Sequence, residues 1–315
     1  MNYLSFSDFL MKRYHKKIYK LPIHLKVTCP NRDGTIGTGG CIFCSDEGAG
    51  FELQSEEIPI AQQLKQNASY IGEKYKVEGF IPYLQNFTNT YMPLDEFKKV
   101  IEQLNIGNTV AISVSTRPDC VTTEHLEILK TFKDKTGLDI ILECGLQTVN
   151  YKTLKKINRG HTLAEFMDTT ERAKSYGFLV GVHLILNLPW DDNEDAIEAA
   201  KILSALNVDI VKLHSLYILK NTPLAELYAK GEITIIKPEE YIKRCAIFTE
   251  HLKEDIAIER FFGRAPEELC LFENRGRSWR FLFNELDKYF EENHIIQGSK
   301  CNYLNGSAYR EKYKK

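Results

Sequence analysis

Residues 29–44 read CPNRDGTIGTGGCIFC and follow closely on a mostly apolar run, Leu21–Val27. The run reads as a buried strand, so the thiols of Cys29, Cys41 and Cys44 are carried on the loop that leaves it. A closed structural metal site takes four protein ligands, and iron–sulfur clusters are commonly held by four cysteines. Three close thiols with no fourth nearby point to a cluster with one iron left for a ligand that is not protein. An open coordination position separates a catalytic metal site from a structural one. Gly34, Gly37, Gly39 and Gly40 let such a loop wrap tightly, and Pro30 stiffens its start. Backbone N–H groups of the loop are then available to cluster sulfurs. Spacing alone leaves two alternatives open: a zinc site completed by a distant Cys or His, and a pair of redox thiols.

Outward from this loop, strand-like and helix-like stretches alternate. Strand patterns fall at Leu21–Val27, Phe80–Phe87, Thr109–Ser115, Asp139–Cys144, Leu179–Leu186 and Ile210–Leu216. Several are nearly unbroken apolar runs, as a parallel sheet covered on both faces requires. Helices are predicted at Leu94–Leu104, Thr123–Phe132, Asn150–Lys156, Leu163–Tyr176 and Asp192–Leu206. An earlier helix is expected to start at Ser55 as N-cap, ahead of Glu56 and Glu57. Six β–α repeats with right-handed crossovers give an α/β fold on a curved parallel sheet.

In parallel α/β folds the chemistry sits at the C-terminal ends of the strands. That rule puts Cys29 after the first strand and Gln85, Thr88, Asn89 and Thr90 at the end of the second. Ser115, Thr116 and Arg117 end the third, and Glu143 and Gln147 the fourth. His183 and Asn187 belong to the fifth, Lys212 and His214 to the sixth. Polar side chains in apolar strands are costly unless partnered. Either they hydrogen-bond one another between barrel layers or they line a ligand pocket, and clustering at one rim favours the pocket.

The formal net charge of the 315 residues is −2, so no global field points to nucleic acid. Apolar content suffices for a large core, and length does not force a split into domains. Eight cysteines without a pairing pattern, and no secretory leader, fit a reducing cytoplasm. The longest apolar run, Leu179–Pro189, is too short for the roughly 20 residues that span a bilayer, and no membrane partner is expected.

The cysteine loop, with Phe43 just before the last thiol, resembles the cluster loop of the radical SAM superfamily, most closely of its YhcC/YtqA type. Further motifs are similar: NFTNTY at Asn86–Tyr91, STRPDC at Ser115–Cys120, ECGLQT at Glu143–Thr148, NRGH at Asn158–His161 and KLH at Lys212–His214. Several are shared with the catalytic subunit of Elongator. The resemblance runs from about Tyr19 to beyond Gly231, more weakly to Gly298. It implies an incomplete (β/α)6 TIM-like barrel over residues 19–223, after a basic segment, residues 1–18, and before a C-terminal α/β extension, residues 224–315. It also implies a [4Fe–4S] cluster on Cys29, Cys41 and Cys44, with S-adenosyl-L-methionine (SAM) on the open iron.

On the same resemblance Phe43 is expected near the adenine of SAM, Gln85, Thr88, Asn89 and Thr90 near its amino group, and Glu143 and Gln147 near its ribose. Ser115, Arg117, Arg159 and His183 complete the expected cofactor-binding set. The implied chemistry is one-electron cleavage of SAM to a 5′-deoxyadenosyl radical, fed by a donor such as flavodoxin or ferredoxin. No general acid or base is required, and Lys212 and His214 are the candidates if a proton is moved. One motif departs from the family: Asn187-Leu188-Pro189-Trp190 stands where relatives usually have Gly-Leu-Pro-Gly.

Likeness to Elongator implies a tRNA partner and modification of its wobble uridine. Lys12, Arg13, Lys16, Lys17 and Lys20 interleave with Tyr14 and Tyr19, Arg275, Arg277 and Arg280 flank Trp279, and the tail carries Arg310, Lys312, Lys314 and Lys315. Phosphate-binding charge beside stacking aromatics is the footprint of RNA binding. The other reading of these groups is a solvated face and a loose tail. Two alternatives for the whole chain are a radical SAM enzyme acting on a small molecule, and a non-catalytic metal-cluster scaffold that binds RNA. A second cluster is not expected, because Cys120, Cys144, Cys245, Cys270 and Cys301 are scattered. No acetyltransferase-sized extension is expected after the barrel.

Overall fold

The structure is a computed structural model that describes residues 2–45, 53–272 and 276–313. Six strands run parallel and neighbour one another in chain order: β1 (Ile18–Ile23), β2 (Gly79–Leu84), β3 (Ala111–Thr116), β4 (Asp139–Gln147), β5 (Leu179–Ile185) and β6 (Ile210–His214). A two-residue strand, β7 (Ile218–Leu219), follows outside the sheet. β8 (Ala257–Arg260) returns to pair parallel with β6, and β9 (Cys270–Phe272) pairs antiparallel with β7. The curled sheet therefore has seven strands, one more than the expected six.

Helix α1 (Phe6–Tyr14) precedes the sheet. Crossovers run through α2 (Ile60–Tyr75), α3 (Leu94–Glu102), α4 (Thr123–Thr136), α5 (Tyr151–Lys156) with α6 (Leu163–Ser175), and α7 (Asn193–Ala205). α8 (Pro223–Ala229) and α9 (Pro238–His251) lead to β8, and α10 (Trp279–Glu292) and α11 (Ser307–Lys312) follow β9. Local chemistry sets these boundaries. Thr162 and Glu165 form a reciprocal capping box at α6, as Asp192 and Asp195 do at α7. Gly137, at φ 73°, ends α4 in the left-handed conformation that glycine adopts without strain.

Side chains inside the barrel form layers. At the strand starts Ile18, Ile81, Ala111, Ile141, Leu179, Ile210 and Ala257, one from each strand of the sheet, pack around Leu10 of α1. Helix α1 thus plugs the end of the barrel opposite the strand C-termini. The backbone before it covers the edge of β8, where the Ile258 N–H bonds the Leu4 carbonyl at 2.9 Å.

Three sequence expectations change here. β1 begins at Ile18 rather than Leu21 and ends at Ile23. It lies at the sheet edge, where Pro22 costs no ladder hydrogen bond. Lys20 hides it in the sequence, because a charge at the centre of a strand breaks the apolar pattern. Ser55 does not cap a helix: its hydroxyl accepts the Glu57 N–H, and α2 starts after Pro59. The N-terminal basic cluster is not one solvated face. Lys20 points into the barrel, and Arg13 pairs with Asp139 at 2.7 Å.

Candidate active site

The barrel opens at its strand C-termini into a cavity of about 730 Å³, within the usual range of ligand pockets. Cys29, Cys41 and Cys44 lie on its wall, on the loop that leaves β1. The loop is tied to the segment after α5. Asn31 Nδ2 donates to the Asn158 carbonyl at 2.5 Å, and Asn158 Nδ2 returns a bond to the Gly40 carbonyl at 2.8 Å. Gly40, at φ 79°, permits that approach.

Two arginines back the thiols. Arg159 Nη1 is 3.4 Å from Cys41 Sγ, while its Nη2 donates to the Gly145 carbonyl at 2.6 Å. Its Nε is buried and has no hydrogen-bond partner. Arg117 forks onto Asp119 at 2.9 and 2.7 Å, donates to the Arg159 carbonyl at 2.8 Å, and comes within 3.9 Å of Cys29 Sγ. The Cys44 thiol donates to the Cys41 sulfur, and despite burial this bond and Arg159 hold Cys41 down at about 5. A sulfur held as thiolate is the form that binds metal.

Among the described residues no three His, Cys, Asp or Glu side chains are spaced for a single metal ion. The three thiols instead stand around one cavity wall, which suits separate corners of a polynuclear cluster. Three sulfur donors, guanidinium support and an unspent buried Arg159 N–H fit the cluster and cofactor that the cysteine loop implies.

Phe43, Gln85, Thr88, Ser115, Gln147, His183, Lys212 and His214 line the same cavity as the cysteines. Gln147 sits at φ 77°, a left-handed backbone in a residue with a side chain, where the β4–β5 register shifts between Gly145 and Gln147. Such bulges re-aim side chains next to sites. Gly145 makes room for it: a Cβ there would lie 2.9 Å from both Arg159 Nη2 and Gln147 Nε2.

Three expected cofactor contacts stand elsewhere. Asn89 is fully buried, and its amide donates to the carbonyls of Leu84, Asn86 and Ser115. Thr90 bonds Thr116 at 2.6 Å. Glu143 lies beneath the cavity, 1% exposed, and is fully occupied by protein. It pairs with Lys20 at 2.7 Å, accepts from His183 Nε2 at 2.7 Å and from Ser113, and lies 3.7 Å from Lys212. Its partners satisfy it without a ribose. Gly181 of β5 leaves the space: a Cβ there would meet Glu143 Cγ at 3.0 Å.

This floor is a charge network that sequence reasoning found only in part. Lys20 also pairs with Glu259 of β8 at 2.6 Å, and Lys212 lies 3.3 Å from both Glu259 and the Tyr83 hydroxyl. A further stretch of lining comes from Arg260 at the end of β8, from Phe261, Phe262 and Arg264 after it, and from Trp279 and Phe283 of α10; of these the sequence reading singled out only Trp279. The available signal was the run Ile256–Phe262, apolar except for Glu259 and Arg260. It reads as a short strand once those charges are seen to face inward.

Residues 32–220 match the Radical SAM superfamily, and residues 208–292 match the Radical_SAM C-terminal domain. Protein YhcC of Escherichia coli strain K12 is 34% identical over 299 residues, 93% of this chain and 94% of that protein. The tRNA uridine(34) acetyltransferase of Methanocaldococcus jannaschii is 29% identical over 154 residues, 48% of this chain and 27% of that protein. Among solved structures, the archaeal Methanocaldococcus infernus Elp3 with its N-terminus deleted superposes with a TM-score of 0.65 at 16% identity, over 89% of this chain and 64% of that one. At that identity the likeness is one of fold.

Proposed function

The chain belongs to the radical SAM superfamily, whose cofactors are a [4Fe–4S] cluster and SAM, and from that premise we propose an enzyme that modifies the wobble uridine of tRNA. The observation that carries the catalytic reading is the placement of Cys29, Cys41 and Cys44 on the wall of one cavity, backed by Arg117 and Arg159. Cys29, Cys41 and Cys44 would hold the cluster and leave it a coordination position for SAM. Arg159 and Asn31 donate towards Cys41 and steady its charge. Phe43, Gln85, Thr88, Ser115 and Gln147 provide the apolar and polar contacts that orient SAM. When bound, cluster and SAM supply one-electron chemistry that ends in abstraction of a substrate hydrogen atom. The closed floor and the aromatic lining keep water from the reacting atoms.

The tRNA part rests on two observations. The chain resembles a tRNA uridine(34) acetyltransferase over 154 residues. The cavity lining also carries Trp279 beneath the Arg264 guanidinium, and exposed Arg280, outside the lining, lies over the same ring. Arg277 pairs with Glu239 at 2.6 Å, and Arg275, Lys314 and Lys315 lie outside the described residues.

Anaerobic reconstitution tests the catalytic part. Cys29→Ala, Cys41→Ala and Cys44→Ala should each lose cluster iron and 5′-deoxyadenosine formation together. Full cleavage in any of them sinks the three-thiol assignment. Nucleoside profiling of tRNA from a deletion strain tests the substrate. A single under-modified wobble uridine should accumulate, and an unchanged profile removes tRNA in favour of a small-molecule substrate.

A further inference from the structure

The cavity has more wall than a cluster and SAM account for. Besides the thiols the lining includes the end of β8, the segment after it and α10, and its charge is unbalanced. Lys20 and Lys212 share Glu143 and Glu259, Arg117 forks onto Asp119, and Arg159 abuts Cys41. Arg260 differs. Its Nη2 donates to the His214 ring, 2.7 Å from Nδ1, and its Nε is buried without a hydrogen-bond partner. Among the described residues no carboxylate reaches it within ion-pair distance. His214 supplies no charge, because burial and the guanidinium hold it neutral.

A half-buried guanidinium with an unspent donor and no counter-ion is costly until an anion meets it. Its planar fork suits carboxylate and phosphate oxygens. Beside it the Arg264 guanidinium lies 3.8 Å above the Trp279 ring centre, and Phe262 and Phe283 complete a flat apolar wall.

We propose that Arg260, with the Arg264–Trp279 stack beside it, forms a substrate subsite for an oxyanion, carboxylate or phosphate, attached to a flat ring. This rests on the radical SAM reading above, in which the thiol side is given to the cofactors. Arg260 binds the oxyanion, and the aromatic wall takes the ring.

The test uses anaerobically reconstituted holoenzyme in a Trp190→Phe background. The chain has two tryptophans, so Trp279 becomes the sole tryptophan and is excited selectively. Its fluorescence is titrated with uridine 5′-monophosphate, uridine, inorganic phosphate and acetate. Uridine 5′-monophosphate should bind saturably and more tightly than uridine. Competition by phosphate or by acetate identifies the oxyanion the subsite prefers. Arg260→Gln should raise the dissociation constant of the anionic probe by about tenfold or more, the order of one lost charge-assisted hydrogen bond, and leave that of uridine unchanged. Equal anion affinity in Arg260→Gln, or no anion-dependent signal in the parent, overturns the proposal. If Arg260→Gln does not fold, Arg260→Lys keeps the charge but loses the fork. It should weaken binding by a smaller factor, and unchanged affinity there also overturns the proposal. SAM cleavage by the parent enzyme is measured separately. Its absence sinks the radical SAM reading, whereas normal cleavage with anion binding indifferent to Arg260 sinks this inference alone.

Discussion

Glu143 and Glu259 sit where a lone carboxylate would take up a proton, yet both are held ionised. Burial raises each, and Lys20 and Lys212 more than reverse it, leaving Glu143 well below the usual carboxylate range and Glu259 below it too. Lys20 shows the same balance from the other side: burial lowers it, and Glu143 with Glu259 leaves it above its ordinary value. Glu143→Gln therefore leaves two buried ammonium groups to share one carboxylate. Removing one partner of a buried pair costs about 3–5 kcal/mol, and a denaturant melt of the variant should show a loss of that order. Adding Lys20→Met removes the surplus charge and should restore part of it. A Glu143→Gln protein as stable as its parent would mean that the floor is not a coupled network. The pH dependence has a definite sign. Both carboxylates titrate lower in the folded chain, so their contribution is complete above roughly pH 4.3, the unfolded value of Glu, and is lost as pH falls through the folded values. Acid unfolding of Glu143→Gln should accordingly be shallower than that of the parent.

Two elements do work that their sequences conceal. Helix α1 reads as a basic, tyrosine-bearing arm, but its 3%-exposed Leu10 is the plug into which all seven strand starts pack. Leu10→Ala should cost about 2–5 kcal/mol, as other large-to-small core changes do, and a thermal melt reads this directly. An unchanged melting temperature would show that the floor closes without the helix. The same helix is pinned by Arg13 and Tyr14 to Asp139, which also meets Lys133. Despite burial, those bonds hold Asp139 at about 2, so its contribution is present above roughly pH 3.9 and fades as pH falls towards 2. Asp139→Asn should flatten the stability profile across that window. The other concealed element is β8. The long strands β3 to β6 are legible because parallel strands buried on both faces are almost wholly apolar, and the cysteine loop is legible because thiols and glycines announce it. β8 is four residues long, and two of them are charged. Charges that face the inside of a barrel imitate a surface loop in sequence, and only the partners on other strands, Lys20 and Lys212, reveal the difference. For the same reason Glu143 is visible as a buried carboxylate while its partners are not.

Across the whole molecule the two ends of the barrel differ, and on the proposed tRNA reading this decides where RNA would bind. The cavity opens at the strand C-termini, and the thiols, Arg260, Arg264 and Trp279 all line it. Helix α1, with exposed Lys12, closes the opposite end, and exposed Lys16 follows just after it. A nucleotide delivered to the cavity therefore brings its flanking phosphates to the face of α10, not to α1. Neutralising Lys12 and Lys16 together should leave tRNA affinity and its salt dependence as they are. Arg280 lies on α10, exposed, with its guanidinium 5.4 Å from the Trp279 ring centre. Arg280→Ala should weaken binding to many RNA sequences alike and lower the slope of log affinity against log salt by about one, the release of about one counterion per lost phosphate contact. Filter binding over a salt series, run on both variants, separates the ends. A slope that falls with Lys12 and Lys16 and ignores Arg280 would place the RNA on the plugged end, out of reach of the thiols, and the cavity would then have to serve a substrate of another kind.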